Sequence, residues 1–519
     1  MSSRVLGWIE ISVVVGYLAF VAAVGLYFSR RQKTTEDYFL AARSVPGWVV
    51  GFSLMGTMVG STTFIGHPGN VIKQDMWALP LHLALPVVMV LVARYLVLFY
   101  RRTLRMTAYG YLEKRFGYPA RLYGATSFLV SRVVDVSVTF FFLAIPIAFM
   151  TGWDVWWVIL VVGIVTVLYT LVGGIGAVVW TDVIQGVLLV GGGLTCVAYI
   201  LWTSEAGPAA ITSAAWQGGK FSLGDWRFDW TSDNAWFYLL GGTFWAFKAF
   251  TCDQHNVQRY LLARSDREAV RGAYFGAAVC LPIWILFMVL GALLWGHYQL
   301  SSEVLPAQVT DDLDNLLPYF IKTQLPAVLV GVILAALMAA AMSCLDSDLN
   351  AMATVVVHDF YARLWPASSD RQRLRVGKAV VTLLGIASVV LAQQWIGIEA
   401  VIRLSFTLAG ILTGGILGLF ALGLLFRGTT ARAAYAGILA CAVFSAWATL
   451  TRVDLPPHNA PLLDLGTYNY SLSPYLIGIL GHVVLLVVGL LANPLLGGPQ
   501  PDTTNLTVWD TAADPSRSR

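Results

Sequence analysis

Residues 51–69 read GFSLMGTMVGSTTFIGHPG, an apolar stretch interrupted by glycines and hydroxyl side chains. Three consecutive hydroxyls, Ser61, Thr62 and Thr63, follow a glycine there and make a poor helix interior, so we predict a local break. Residues 241–254, GGTFWAFKAFTCDQ, also begin with paired glycines and place polar side chains inside an apolar run. We predict a second break there. Glycine patterns also occur where ordinary helices pack closely, and that alternative stays open.

The composition around these stretches is that of a membrane protein. Of 519 residues, 57% are hydrophobic and only 12% are charged. A soluble domain carries about 25% charged residues. With a mean hydropathy of +0.70, these values exclude a soluble enzyme, a nucleic-acid binder, a disordered chain and a secreted disulfide scaffold. The 5 cysteines lie in or beside apolar stretches without a short pairing and are interpreted as buried apolar side chains.

Apolar runs of about 20 residues, long enough to cross a bilayer, recur along the chain. The two interrupted stretches fall in the second and seventh runs, five apart, as two five-helix repeats require. The tail, residues 496–519, is short, polar and predicted to be disordered. We predict thirteen spans, at 7–28, 47–66, 75–99, 119–150, 154–172, 175–203, 236–252, 271–297, 325–357, 378–395, 399–426, 432–451 and 475–495.

Basic residues orient these spans, because Lys and Arg are enriched in cytoplasmic loops. With the N-terminus outside, the predicted inner segments hold 23 Lys and Arg and the outer ones hold 6. The N-terminus is therefore predicted to face outward and the C-terminus to face the cytoplasm. We expect a multi-pass protein of the cell (inner) membrane.

Five motifs, in this order, make the chain resemble a known family. It is similar to the sodium/solute symporters, which include the sodium–glucose, sodium–proline, sodium–sialic acid and sodium–monocarboxylate carriers. The resemblance implies an all-α membrane protein of the LeuT type in a single transmembrane domain, residues 1–495. That fold has a leading helix at 7–28, inverted five-helix repeats at about 47–203 and 236–426, and two trailing helices within 432–495. The motifs are DYFLAARS (37–44), TFIGHPG (63–69), TDVIQ (181–185), DQHNVQRY (253–260) and MAAAMSCLDS (338–347).

The same resemblance implies a sodium site between the second span and the ninth. Backbone carbonyls of Gly56, Val59 and Ala340 and the side chains of Ser343 and Cys344 would bind the ion. Unwound carbonyls suit a hard cation because they supply oxygen without adding charge. A thiol at Cys344 departs from the Ser or Thr usual in the family and is a poor ligand for sodium. For Ser343, a hydroxyl bonded to the carbonyl four residues earlier is the structural alternative.

A second sodium site is implied on the same helix face. Asp346 and Ser347 follow Ser343 at i+3 and i+4, and Asp182 matches an acid that holds a second ion in some family members. Acids inside a membrane are functional by default. Either acid could instead lie near the cytoplasmic end of its helix, wetted or hydrogen-bonded. Two close carboxylates would also repel, and this makes a proton the rival coupling ion.

The solute cavity is expected beside the ion. Matching to the family gives Thr62, Thr63, Asp75, Phe250 and Thr413 as lining residues. The stretch 412–420, LTGGILGLF, looks more like the monocarboxylate, vitamin and sialic-acid branch than like the glucose carriers.

A guanidinium suits a carboxylate solute, and this makes Arg132 a candidate ligand. Asp135 at i+3 could instead neutralise Arg132 as an internal ion pair, so both interpretations of Arg132 stay open.

We therefore expect a symporter, not an enzyme, that imports a small polar organic solute by alternating access. The solute would be a sugar, a sialic-acid-like compound or a carboxylate. Sodium is the expected coupling ion, not an enzymatic cofactor, and we expect no nucleic-acid partner. The protein is expected to work in the lipid bilayer as a monomer. The alternative hypotheses are a proton-coupled carrier on the same fold, a solute sensor that does not transport, and, third, a membrane transferase.

Overall fold

A computed structural model describes residues 7–29, 34–104, 106–398, 401–453, 461–498 and 503–512. In these residues the secondary structure is helical apart from an isolated parallel bridge between Val45 and Ala263. The helices are α1 (Trp8–Ser29), α2 (Thr35–Leu40), α3 (Gly47–Met58), α4 (His67–Lys73), α5 (Leu79–Leu83), α6 (Leu85–Thr103), α7 (Tyr109–Phe116), α8 (Tyr118–Thr151), α9 (Val155–Thr203), α10 (Gly207–Gln217), α11 (Ala235–Thr251), α12 (Gln254–Leu262), α13 (Asp266–Leu300), α14 (Ala307–Thr310), α15 (Leu316–Gln324), α16 (Ala327–Val355), α17 (Ala362–Leu364), α18 (Asp370–Ala392), α19 (Val401–Leu412), α20 (Ile416–Leu425), α21 (Ala431–Arg452), α22 (Leu476–Leu496) and α23 (Val508–Ala512). Short 3₁₀ or π turns lie at Ala41–Arg43, Thr62–Gly66, Leu313–Asn315, Val356–Tyr361, Gln393–Trp395 and Gly466–Tyr468.

Membrane-spanning length is met by nine helical segments of the described residues, or ten if the bent pair α3 and α4 counts as one. Two shorter apolar helices, Val155–Leu168 and Ile416–Leu425, fall below that length. The first of these is the beginning of α9, which Gly174 kinks with a φ of 57° and a ψ of 176°. The count of thirteen spans stays a prediction.

The first broken helix lies where the sequence predicted it. α3 ends at Met58, Val59 is extended at φ −119° and ψ 98°, and the chain re-enters a helix at Thr62. The two halves are bent by 58°. The predicted hydroxyls Thr62 and Thr63 lie in the π-helical turn just after the break, so the glycine before them, not the hydroxyl run, marks its position.

The second break lies further along than the paired glycines suggested. α11 runs unbroken through Gly241 and Gly242 and ends at Thr251, and Asp253 is extended at φ −79° and ψ 121°. A Cβ on Gly242 would lie 1.8 Å from the Leu81 carbonyl oxygen, so this glycine serves close packing. The packing interpretation is therefore right for the glycines, and the break falls instead at Cys252–Asp253.

α16 is the central helix, since every residue from Ile333 to Val355 is buried. A helix that is buried on all sides belongs to the interior of a bundle. Its contact with the first break depends on glycine, because a Cβ on Gly60 would lie 2.7 Å from Cys344 Sγ. A Cβ on Gly56 would come within 2.3 Å of Ser343 Oγ. The two glycines thus bring α16 against the unwound segment of the broken helix.

α13 backs the broken helix on another side, also through glycine. A Cβ on Gly51 of α3 would lie 2.9 Å from the Gly272 carbonyl oxygen, and one on Gly276 would lie 2.9 Å from the Gly51 carbonyl oxygen. Further along α13, a Cβ on Gly291 would lie 2.6 Å from the Pro68 carbonyl oxygen of α4. Backbones therefore meet directly at two glycine turns of α3 and at one of α4.

A short left-handed turn connects α2 to α3. Ala41, Ala42 and Arg43 have φ values of 46°, 49° and 53°, a region that non-glycine residues rarely occupy. Gln258 Nε2 of α12 donates to the Phe39 carbonyl just before the turn, at 2.6 Å. The turn is thereby tied to the segment that follows the second break.

The tail prediction is wrong for the described residues 503–512. They include α23, and Trp509 Nε1 donates to the Leu425 carbonyl at 2.8 Å, while Arg427 pairs with Asp510 at 2.6 Å. Composition indicated a polar tail, but Val508, only 5% exposed, and the Trp509 indole give it enough apolar surface to pack at the end of α20. Residues 496–498 of the predicted tail are also described, with Leu496 the last residue of α22, and residues 499–502 and 513–519 lie outside the described residues.

Candidate functional site

Asp182 of α9 is fully buried and faces both α3 and α16. Ser343 Oγ donates to its Oδ1, and Ser53 Oγ donates to its Oδ2. The Ser343 hydroxyl therefore does not donate to the carbonyl four residues earlier on its own helix, and that alternative is wrong. The structure brings together a carboxylate and two hydroxyls, a set of oxygens that suits a hard cation.

Arg259 of α12 also reaches this set. Its Nη2 donates to Ser347 Oγ and lies 3.9 Å from Asp182 Oδ2, and its Nε donates to Ser53 Oγ at 3.1 Å. Neither Ser53 nor Arg259 was predicted as a site residue. The signals were the Ser53–Thr57 spacing of four on α3 and the place of Arg259 within the DQHNVQRY motif.

The residues predicted as carbonyl ligands of a first sodium ion lie at and opposite the break in α3. Val59 leaves the helix with an extended backbone, and Ala340 presents its carbonyl oxygen 3.6 Å from where a Cβ on Gly60 would stand. The Cys344 thiol donates to the Gly56 carbonyl at 3.2 Å and lies 3.4 Å from the Thr57 carbonyl. The five predicted residues are therefore adjacent, and the thiol bonds a carbonyl that would serve the ion.

Asp346 is held by a different helix segment from the one that holds Asp182. Thr170 Oγ1, which precedes the Gly174 kink of α9, donates to Asp346 Oδ1. Ser347 instead faces α3, with its Oγ 3.3 Å from Thr57 Oγ1. The predicted face of α16 is therefore shared between two neighbours: Asp346 contacts α9, whereas Ser347 faces α3 and is joined to Asp182 by the Arg259 guanidinium.

A cluster of buried charges lies at the second break. Arg132 forms the predicted pair with Asp135. Asp253, in the break itself, accepts from Lys248 Nζ at 3.0 Å and lies 3.9 Å from Arg132 Nη2. We call Arg132, Asp135, Lys248, Asp253, His255 and Asp348 the charged cluster.

Asp348 and His255 complete this cluster from α16 and α12. Asp348 Oδ1 lies 3.8 Å from Arg132 Nη1 and 3.2 Å from His255 Nδ1. Neither residue was predicted as a site residue, since the partners of both lie on other helices. An internal pair is thus the observed state of Arg132, and three carboxylates surround its guanidinium.

A cavity of about 60 Å³ adjoins the charged cluster between α11, α19 and α22. Lys248, Thr413 and His482 supply its polar lining. Of the other predicted solute residues, Thr63 and Phe250 are buried near the two breaks and Thr62 is half-buried.

Asp75 lies apart from this cavity. It is in the loop after α4, where its Oδ1 accepts from the Trp77 backbone N–H at 2.9 Å. The structure thus places Thr413 and the Lys248 ammonium on one cavity and leaves Asp75 in a loop beyond the end of the broken helix.

The sequence model of the "Sodium:solute symporter family" matches residues 38–441. The chain belongs to that family. This symporter is 32% identical over 495 residues to the sodium/sialic acid symporter SiaT of Proteus mirabilis, a match that covers 94% of this chain and 95% of the relative. It is 27% identical over 451 residues to the sodium-coupled monocarboxylate transporter 2 of Homo sapiens, covering 84% and 72%.

A solved structure gives the same result for the fold. It is a Na+-coupled sialic acid symporter in a substrate-bound outward-open state, with a TM-score of 0.84 and 31% identity over 94% of this chain and 98% of that one. The predicted family and LeuT-type fold are confirmed. The protein is a multi-pass membrane transporter that couples solute transport to sodium, and it is not an enzyme.

Proposed function

We propose that this symporter imports a small polar organic solute, of the sialic-acid-like, carboxylate or sugar class, by alternating access. The observation that carries the proposal is the meeting of α16 with the break in α3, where Ser343, Asp182 and the carbonyls of the break are adjacent. The relatives named above transport sialic acid and monocarboxylates, and this supports the solute class.

Sodium would bind first at the carbonyls of Gly56, Val59 and Ala340 with Ser343. A second ion would lie lower on α16, with Asp182, Ser343 and Ser347, and with Asp346 on the same stretch of helix. Ordering of the α3 break by the ion favours solute binding beside it. The coupling is mutual, so bound solute must also tighten the binding of sodium.

The solute would bind between the two breaks. Thr62, Thr63, Phe250 and Thr413 would line its site, and the charged cluster would meet its polar groups. Asp75 remains a candidate for a role at the entrance, since it lies at the far end of the broken helix.

The orientation follows from the positions of basic residues. Arg43, Lys114, Arg121 and Arg373 line a cavity of about 880 Å³ at one end of the bundle. We assign that end to the cytoplasm, which places α1 with its N-terminus outside and the tail inside. The working unit would be a monomer in the inner membrane.

The test of the ion site is thermal stability of the purified protein across a sodium titration, against choline at constant ionic strength. A ligand at 100 times its Kd stabilises the folded state by about 2.7 kcal/mol. Asp182→Asn and Ser343→Ala should each weaken this response. Ser388→Ala, which alters a buried serine on α18, is the control and should leave it intact.

Unchanged responses in both site variants would contradict the ion assignment. A stability shift with pH but none with sodium would favour the proton-coupled carrier, for which the thiol at the Gly56 carbonyl is the specific observation. A screen of sialic acid, a monocarboxylate and a hexose in sodium then separates the solute classes by the same readout. A solute that binds without being taken up into vesicles would indicate the sensor.

A further inference from the structure

The Asp182 carboxylate is fully buried, and a buried charge needs a counter-charge. Both of its oxygens accept serine hydroxyls, but hydroxyls carry no net charge. The cation that faces it is Arg259, whose Nη2 is 3.9 Å from Asp182 Oδ2, and both side chains are 0% exposed. The guanidinium therefore balances the same charge that a second sodium ion would balance.

The guanidinium also uses the oxygens that the ion would need. Arg259 Nη2 donates to Ser347 Oγ, and Nε donates to Ser53 Oγ at 3.1 Å. A serine oxygen has two lone pairs, and a metal ion binds through the same lone pairs that accept hydrogen bonds. Arg259 Nη2 occupies one of these lone pairs on Ser347 Oγ, and Thr57 Oγ1 lies 3.3 Å from the same oxygen. A sodium ion on Asp182 and Ser347 would lie beside the guanidinium, and the repulsion between two cations that share one carboxylate disfavours their simultaneous binding.

We propose that Arg259 is a tethered counter-ion, which holds the Asp182–Ser347 position when no sodium is bound there and is displaced when sodium enters. This inference rests on the proposed second sodium site. It assigns Arg259 as a positioning residue: it stabilises the empty site and thereby sets the sodium concentration at which the site fills.

Displacement of Arg259 would be transmitted to the solute region through α12. Arg259 Nη1 donates to the His255 carbonyl at 3.1 Å, one turn earlier on this helix. His255 contacts Asp348, and α12 begins directly after Asp253, the partner of Lys248. One nine-residue helix thus joins the candidate ion position to the charged cluster at the second break.

The test is the sodium titration of thermal stability, in sodium against choline, for Arg259→Gln and Arg259→Lys. Without the guanidinium, Asp182 has no counter-charge in choline, so Arg259→Gln should melt well below wild type there and recover in sodium. Its half-saturating sodium concentration should fall about tenfold, because the competing hydrogen bonds to Ser347 and Ser53 are gone. Arg259→Lys, which keeps a charge but lacks the planar fork, should lie between.

Two controls separate this role from a structural one. Arg115→Gln removes another buried arginine, which donates to the backbone carbonyls of Thr429 and Phe426. It should lower stability equally at every sodium concentration. Adding Asp182→Asn to Arg259→Gln removes both charges and should restore stability in choline while abolishing the sodium-dependent recovery.

The outcomes are distinguishable. A wild-type protein without any sodium-specific shift overturns the proposed ion site, and this inference with it. A wild-type shift together with half-saturating concentrations unchanged in both Arg259 variants overturns the inference alone. If Arg259→Gln folds in neither salt, Arg259→Lys decides: a lower half-saturating concentration supports the counter-ion, and an unchanged one contradicts it.

Discussion

Replacement of Cys344 by serine is expected to tighten sodium binding. The Cys344 sulfur lies 3.2 Å from the Gly56 carbonyl oxygen and 3.4 Å from that of Thr57, so its S–H bonds a carbonyl proposed as an ion ligand. A serine hydroxyl at this position is a hard oxygen within reach of the same ion. The substitution therefore adds one ligand and removes a soft atom from the site.

The expected magnitude follows from the strength of a single polar contact to a charge. Such a contact is worth about 1.5 to 3 kcal/mol net in a protein. We take the lower value, about 1.5 kcal/mol, which corresponds to about a tenfold lower half-saturating sodium concentration. The measurement is the sodium dependence of thermal stability, followed by the sodium dependence of solute uptake in vesicles.

Cys196→Ser is the matched control for this substitution. Cys196 of α9 is also fully buried, and a hydroxyl buried there should cost about 1 to 3 kcal/mol of stability without changing the half-saturating sodium concentration. If Cys344→Ser binds sodium no more tightly than wild type, residue 344 is not a ligand. The proposed position of the first ion between α3 and α16 would then be wrong.

Four further substitutions test the packing of the fold. Ala42→Gly should stabilise the protein by about 1 kcal/mol and raise its melting temperature, because glycine adopts the φ of 49° without a Cβ clash. Gly242→Ala should destabilise it by about 3 kcal/mol, since the new Cβ would stand 1.8 Å from the Leu81 carbonyl oxygen, which is backbone and cannot turn aside. Gly191 is a helical glycine with nothing within 4 Å of an added Cβ, so Gly191→Ala should instead stabilise the protein in the same melting assay. Trp509→Ala should expose the tail to faster limited proteolysis, because it removes the 2.8 Å bond to the Leu425 carbonyl; an unchanged cleavage rate would show that the indole does not hold the tail.

The break in α3 was predictable because glycine and hydroxyl side chains both disfavour a helix interior, and Gly60 lies at the observed position. The position of the second break, at Cys252–Asp253, was not predictable. Neither residue is a strong helix breaker, whereas the glycines of α11 that did suggest a break are required by close packing on Leu81 and Tyr475. Local composition cannot distinguish a glycine that ends a helix from one that lets a neighbouring segment pack closely against the helix.

The candidate site was predictable only as far as the family resemblance extended. Asp182 and Ser343, which lie 161 positions apart in the chain, were both predicted and do meet. Ser53, Arg259 and Asp348 were missed, because their roles arise from contacts between helices that are far apart in sequence. The pair of Arg132 and Asp135 needed only a spacing of three on one helix, and it was foreseen as one of two alternatives.

The glycine contacts of α13 limit how the broken helix can change its bend. Backbone meets backbone at Gly272 and Gly276 against α3, but at Gly291 alone against α4. Two successive glycine turns in register resist sliding more than one does, so α3 is fixed to α13 more tightly than α4 is. When the angle between α3 and α4 changes, the contact between Pro68 and Gly291 therefore gives way first. α4 is therefore the half of the broken helix that we expect to move against α13.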